Sequence, residues 1–288
     1  MNSVRLTDIW LRADNSQTMP RVDIHTHLLP GVDDGPESLD ETVEMARIAS
    51  ADGTDVIHAS PHQRDVMNNH SVEHLQNLIV ELNGRLRSEA GPTQRVPRVI
   101  LGMENHIEPE LGEWFDRGIA LPINGTKFIL SEPPFTTYPP YMDRVLFDLQ
   151  VRRLVPVIAH PERNSEFQKS PGKLRKMVES GMLVQITAGS LLGEFGSRAQ
   201  RAAEFFLAHD LAHVAASDMH RSDRVRLPQL SLAHRRAEDL VGVERARMLF
   251  EDSPRNIIDG RDPESGGSLP PLPSRRKWWW PFSGRGPE

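Results

Sequence analysis

The 288-residue sequence contains no cysteine. Disulfides and thiolate metal sites are therefore excluded, and so is every phosphatase or protease that attacks through a cysteine thiolate. Hydrolysis by this chain needs another nucleophile. An excess of positive charge is also missing: 34 Lys plus Arg stand against 40 Asp plus Glu, a formal net charge of -6. Nothing global draws such a chain to nucleic acid. Residues 1–20 are polar and mixed in charge, with neither the apolar core of a signal peptide nor a membrane span. The folded part is expected in the cytoplasm. No internal repeat at fixed period is visible.

What the chain does have is 12 histidines and an alternation of short apolar runs with helical patterns. That alternation is the signature of βα units around a mostly parallel sheet, about seven of them. Strands are expected over 22–29, 54–60, 98–103, 127–131, 155–159, 183–187 and 212–217. Ser38 with Glu41 three residues on makes a capping box for a helix running to Asp52, and Gly53 can take the left-handed conformation that stops it. Further helices are expected over 72–90, 140–153, 171–180, 197–209 and 232–250, with the segment beginning at Ser253-Pro254 capping a short last turn. The length suits one (β/α) barrel. The expected organisation is an N-terminal extension over 1–20, one α/β barrel domain over 21–260, and a disordered Pro/Gly-rich tail over 261–288.

His25 and His27 are two apart in a strand, so their side chains leave one face and can reach one ion. Alone, such a pair is weak. Every later strand end but the sixth, however, brings another ligand type: His62 after the second, Glu104 after the third, Glu132 at the fourth, His160 with Glu162 and Arg163 after the fifth, Asp218 and His220 after the seventh. Asp33 and Asp34 add two carboxylates in the first βα loop. Side chains at the C-terminal ends of barrel strands converge in space although scattered in sequence. So many carboxylates and imidazoles buried together would repel one another or stay desolvated without cations, so a cluster of two or three divalent ions is expected. Nitrogen and oxygen donors without sulfur suit manganese, iron or zinc. Two ions about 3.5 Å apart can acidify a shared water and hold both the attacking and the leaving oxygen of a phosphoryl group, which supplies what cysteine cannot. Arg163 is the best-placed cation for a bidentate phosphate contact, the alternative being an ion pair with Glu162 or Glu166. Arg224 and Arg226 are weaker candidates for the same task.

These motifs, in this order, resemble the polymerase and histidinol phosphatase (PHP) superfamily, and within it the bacterial tyrosine-protein phosphatases encoded with capsule and exopolysaccharide genes. The resemblance covers residues 21–260: Val-Asp-Ile-His25-Thr-His27, Val-Asp-Asp34-Gly-Pro-Glu-Ser, Ala-Ser-Pro-His62, Gly-Met-Glu104, Leu-Ser-Glu132, Pro-Val-Ile-Ala-His160-Pro-Glu-Arg163 and Val-Ala-Ala-Ser-Asp218-Met-His220. It implies a distorted (β/α)7 barrel with a trinuclear, often manganese-dependent site. The implied substrate is phosphotyrosine in the tail of a membrane-associated tyrosine kinase that controls polysaccharide export. Carried over position by position, His25, His27, Asp34, His62, Glu104, Glu132, His160, Asp218 and His220 look like the metal ligands, with Glu104 bridging. Arg163 looks like the phosphate anchor, and a second family arginine falls at Arg224 or Arg226. His62 or His220 would serve as a proton donor wherever not metallated. Three departures stand out: Asn105-His106 after the bridging glutamate, Ser131 before Glu132, and the 20-residue extension. His106 is open as a ligand, a substrate contact or a surface residue.

The other features carry blander expectations. His58, His70, His74, His209, His213 and His234 read as structural or solvated, Trp114, Phe115, Phe205 and Phe206 as core. The 193–196 loop is too weak a pattern to be a phosphate cradle. Tyr138 and Tyr141, among prolines, read as a rigid loop wall. Arg275, Arg276 and Lys277 followed by Trp278, Trp279 and Trp280 suit a peripheral contact with an anionic bilayer, or a partner-binding end. The rival functions are a small-molecule phosphatase of histidinol-phosphate type or a phosphodiesterase on the same fold. From another class, a barrel that binds phosphotyrosine or a kinase tail without turnover is the alternative; nine converging ligands speak against it.

Overall fold

The computed structural model describes residues 21–91, 94–222, 230–264 and 269–272. Among these residues eight strands follow one another in the order of the chain: β1 (Arg21–Thr26), β2 (Thr54–Ala59), β3 (Arg98–Leu101), β4 (Asn105–His106), β5 (Phe128–Glu132), β6 (Val155–Ala159), β7 (Leu183–Thr187) and β8 (Val214–Ala216). All pairings are parallel, β1-β2-β3 in one run and β4 to β8 in the other. The two runs join at both ends. Gly102, Met103 and Glu104 carry the chain from β3 into β4, and the backbone of Asp218 and His27 bonds across to His25 and Met219 at 2.9 Å, so β8 closes on β1.

The strand expected over 98–103 is thus two pieces, one serving each run, and counting them together leaves the seven staves of a distorted barrel. Gly102 is the joint. A Cβ there would lie 2.1 Å from His58 Nε2 and 2.8 Å from the Pro122 carbonyl, so only glycine lets the backbone cross. The first strand ends at Thr26 rather than at 29, with register shifts on either side of Val22 and Asp23. Beyond it, Leu28 and Leu29 are buried under the helix Leu39–Ala51.

Period two along the strands divides core from site. Ile129, Ile158, Val184, Ile186 and Ala215 face the helices in the largest apolar cluster. Phe128, Leu130, Val157, Ala159, Leu183, Val214 and Ala216 lie in a second cluster with Ile257 and Ile258 of the last helix. On that same face the next residues toward the strand ends are Glu132, Gln185 and Asp218. The strands therefore turn polar at one end only, above an apolar floor.

The helices form where expected, within two residues of their expected ends, for Leu39–Ala51, Val72–Glu89, Met142–Val151, Pro171–Glu179 and Gly196–Ala208. Ser38 Oγ accepts from Glu41 N at 3.2 Å and Gly53 has φ +98°, the start and stop read from the chain. The helix expected over 232–250 differs. It runs Leu230–Val241, breaks at Gly242 with φ +85°, and resumes as Val243–Arg247. Ser253 is no cap: a wide turn, Met248–Asp252, leads straight into Ser253–Ile258. The π turn makes room for Pro254, which has no N–H to give the previous turn. Leu269 and Leu272 lie against the core, and Arg175 Nη2 donates to the Leu269 carbonyl at 3.1 Å.

Candidate metal centre

At the polar end of the strands the imidazoles are oriented from behind. His25 Nδ1 meets Gln185 Oε1 at 3.0 Å, His27 Nδ1 meets Asp33 Oδ2 at 2.7 Å, and His220 Nδ1 meets the Asp218 carbonyl at 2.8 Å. Each acceptor can take only a proton, so each holds N–H on Nδ1 and leaves the Nε2 lone pair facing inward. His25 Nε2 and His27 Nε2 then face each other at 3.3 Å. Two lone pairs so placed call for a cation between or beside them.

The nine expected ligands converge. Glu104 sits at the centre, 3.3 Å from His25 Nε2 and His27 Nε2, 2.9 Å from His160 Nε2 and 3.0 Å from His62 Nδ1. Asp218 Oδ1 is 3.5 Å from both His25 and His27. Asp34 Oδ1 lies 3.2 Å from His220 Nε2 and 3.7 Å from His62 Nε2. Glu132 lies 3.8 Å from His160 and 3.9 Å from His62. Four overlapping groups have ligand atoms all within 4.8 Å of one another: His27, Asp34, His62 and His220; His25, His27 and Asp218; His25, Glu104 and His160; His62, His106 and Glu132. Most of these side chains are buried. Asp34 is 60% exposed and His62 20%, so the cluster opens to solvent on their side.

The donor set fits divalent ions, on two observations. Glu104 Oε2 and His62 Nδ1 are buried and have no hydrogen-bond partner among the described residues although they face each other; an ion held there would satisfy both. Burial by itself would strip His25 of its proton, yet Glu104 and then Asp218 hold its pKa up to about 9. Burial likewise opposes charge on His27, and Asp33 and Glu104 push it well above the usual range. Glu104 is held well below the carboxylate range, against its own burial, by His25, His160 and His27. The protein has built a sink for positive charge, and metal ions entering it displace protons.

Two of the expected ligands are set by unusual backbone. His160 has φ +31° and Asp218 φ +56°, left-handed conformations that non-glycine residues seldom adopt. His160 follows directly on β6 and Asp218 stands two residues past the end of β8, and the reversal turns their side chains into the cluster. Arg163 reaches the same place from the turn Pro161–Arg163. Its Nη1 donates to Asp218 Oδ2 at 2.6 Å, and the guanidinium lies between the rings of Phe135 and Phe195, 4.8 and 4.4 Å from their centroids. The alternative pairing with Glu162 or Glu166 is not formed. Glu162 instead accepts from Thr187 N and Ser190 Oγ, and Glu166 pairs with Lys169 and Lys173.

Asp33 and Asp34, expected alike as loop carboxylates, take different parts, and Gln185 and Asp23 are supporting residues not named from the sequence. Asp33, buried, accepts from His27, His62 N and Gly35 N, whereas exposed Asp34 faces the cluster. Gln185 accepts from His25 and from His160 N. Asp23 accepts from His25 N and Ser217 N, and its burial pushes it up to about 6. A lone Gln inside the apolar run Leu183–Thr187 was the available signal for one of them. The background histidines stay out of the cluster. His58 Nδ1 donates to the Ile24 carbonyl, His209 to Phe205, His213 Nδ1 accepts from Val184 N, His234 stacks on Phe250, and His70 stacks on His74. Tyr138 bonds Asp143 and packs edge-on against Phe167, a wall. Arg224, Arg226, the 1–20 extension and the stretch from Arg275 to Trp280 lie outside the described residues. No helix among the described residues is long and apolar enough to cross a membrane.

Residues 21–259 match the family model "Capsular polysaccharide synthesis, CpsB/CapC". Tyrosine-protein phosphatase YwqE of Bacillus subtilis is 37% identical over 199 residues, 69% of this chain and 77% of its own length. The putative tyrosine-protein phosphatase CapC of Staphylococcus aureus is 32% identical over 69% of this chain and 76% of its own. A solved chain, from work on YwqE of Bacillus subtilis and CpsB of Streptococcus pneumoniae described as metal-dependent tyrosine phosphatases, superposes with a TM-score of 0.79. It is 32% identical, and the match covers 88% of this chain and 100% of that one.

Proposed function

The chain belongs to the CpsB/CapC family of capsular polysaccharide synthesis, and from that premise we infer that it is a metal-dependent phosphatase hydrolysing phosphotyrosine in a protein. One observation carries the reading: a single carboxylate, Glu104, reached within 3.3 Å by four imidazoles, with an aromatic-framed arginine beside it. The ligands are His25, His27, Asp34, His62, Glu104, Glu132, His160, Asp218 and His220. Manganese is the first candidate metal, iron and zinc the others the donors suit.

Two or three ions held there would supply Lewis-acid charge to the phosphoryl oxygens and acidify the attacking water. The rest falls to the chain. Arg163 spends one N–H on Asp218 and keeps further donors of its planar fork for the phosphoryl oxygens. Phe135 and Phe195 hold that plane and keep water from it. A tyrosine phenolate, with a pKa near 10, leaves without a strong acid; whichever of His62 and His220, nearest the open side, holds no metal is the chain's candidate to return its proton. Arg224 or Arg226 would be the second phosphate contact.

The proposed protein substrate is a membrane-associated bacterial tyrosine kinase of the capsule or exopolysaccharide system, met in the cytoplasm at the inner face of the membrane. Residues 21–260 form the catalytic barrel, 1–20 an extension, and 261–288 a tail whose basic and tryptophan-rich end would touch the bilayer. Liposome co-sedimentation with and without 262–288 tests that contact; unchanged binding removes it. The activity is tested by reconstituting the full chain with manganese and comparing a phosphotyrosine peptide, histidinol phosphate and a single-stranded oligonucleotide. Turnover of the peptide is expected, with Arg163→Ala lowering kcat/KM by about 100-fold or more. Preference for either of the other substrates overturns the assignment, and full metal content and activity in His160→Ala and Asp218→Asn overturn the metal centre.

A further inference from the structure

His106 belongs to none of the nine positions, yet the backbone aims it at them. β4 is only Asn105–His106, and it pairs in parallel register with Ser131 and Glu132 of β5. Glu104 and His106 are two apart, so they leave the same face, as His25 and His27 do on the opposite side of the barrel. Asn105, between them, points the other way. It is buried, and its Nδ2 donates to the carbonyls of Met103, Leu121 and Leu130 at 2.9 to 3.0 Å. The two N–H groups of one amide, shared among three carbonyls, pin the short strand where the barrel is split. The Asn105-His106 pair is thus one device: the first residue fixes the backbone and the second is delivered inward.

What His106 meets there is Glu132. Its Nε2 lies 3.0 Å from Glu132 Oε2, its ring centroid 5.3 Å from that of His62, and His62, His106 and Glu132 offer ligand atoms all within 4.8 Å. Its Nδ1 is buried without a hydrogen-bond partner among the described residues. His58 too has a buried ring nitrogen, Nε2, without a partner among the described residues, but its Nδ1, like those of His209 and His213, is spent on the backbone, whereas His106 meets a carboxylate of the cluster. His62 is also contested, because its Nε2 faces Asp34 while its Nδ1 faces Glu104, and a neutral imidazole has one lone pair to give. Whenever His62 serves the Asp34 side, the Glu132 side is short of a nitrogen.

The geometry points to His106 as a tenth ligand of the metal centre, completing the position built on Glu132. The inference rests on the metal-centre reading above, and its test is read in ions bound rather than in turnover. Metal-free full chain is titrated with manganese by calorimetry, and bound metal is counted by mass spectrometry, for the wild type, His106→Gln and His106→Glu. Gln and Glu have one shape, but only Glu adds a charged oxygen ligand, and only Gln can donate a hydrogen bond to Glu132. The expected result is that His106→Gln binds one ion at least tenfold more weakly while His106→Glu stays within a few-fold of the wild type. The opposite order, Gln tolerated and Glu not, makes His106 a hydrogen-bonding support of Glu132 and overturns the proposal. Unchanged titrations for both variants overturn it too. A wild type that binds metal but releases no phosphate from phosphotyrosine would instead count against the function, leaving the ligand question answered by the same titrations.

Discussion

Replacing Asp33 by Asn should loosen metal binding although Asp33 faces no ion itself. Its Oδ2 accepts from His27 Nδ1 at 2.7 Å and from His62 N at 3.0 Å, and its Oδ1 from Gly35 N at 3.0 Å. Three donors converge on two oxygens. An amide offers one oxygen and one NH2, so at least one donor must face another donor. If that donor is His27, the ring loses its bond or moves its proton to Nε2, the nitrogen aimed at Glu104. A charge-assisted bond of this kind is worth about 1.5–3 kcal/mol. Loss of the group behind a ligating histidine commonly lowers metal affinity about 10–100-fold, which is about 1.4–2.7 kcal/mol at 1.36 kcal/mol per decade. The two routes agree. Competition with a chromophoric chelator measures the effect on the full chain, with Asp55→Asn, at an exposed pair with Arg95, as the silent control. Saturating manganese should restore much of the activity of Asp33→Asn. An affinity within twofold of the wild type would refute the claim that Asp33 sets the His27 tautomer.

Stripping the metal with a chelator should lower Tm by about 5–10 °C, because an ion at 100 times its Kd adds about 2.7 kcal/mol and a domain of this size moves about 2–4 °C per kcal/mol; a scan unmoved by chelator would speak against a built site. Gly102→Ala drives a Cβ to 2.1 Å from His58 Nε2 and 2.8 Å from a backbone carbonyl, and is expected to cost about 1–3 kcal/mol and, two residues from Glu104, to lower metal content; urea unfolding and metal counting read both. Burial, helped by Arg245, pushes His213 down to about 4 from an ordinary 6.5. Between those values the unfolded chain binds the proton and the folded one does not, so this stability is whole above about pH 6.5 and is lost as pH falls toward 4. In His213→Asn the loss of stability between pH 7 and 5 should shrink by about 1–2 kcal/mol, allowing for partial exposure; an unchanged slope in urea midpoints would remove His213 as its source.

Periodicity in the chain was enough to place the strands and the main helices, because a parallel barrel buries both faces of each strand and leaves short apolar runs bounded by turns. It also marked the residues that converge in the cluster, since the residues just past the strands stand out against those runs. Three things lay beyond it. The cut between β3 and β4 depends on His58 pressing on Gly102 from another strand. The division of labour between Asp33 and Asp34, adjacent and chemically alike, depends on which is buried against His27. The exchange of partners by Arg163, from its neighbours Glu162 and Glu166 to Asp218, depends on strand ends 55 residues apart meeting at one rim. Sequence alone therefore determined which residue types stand at the mouth of the barrel, because local pattern decides where strands end. Only the tertiary structure decided which nitrogen faces which oxygen, because that is set by contacts between segments far apart in the chain.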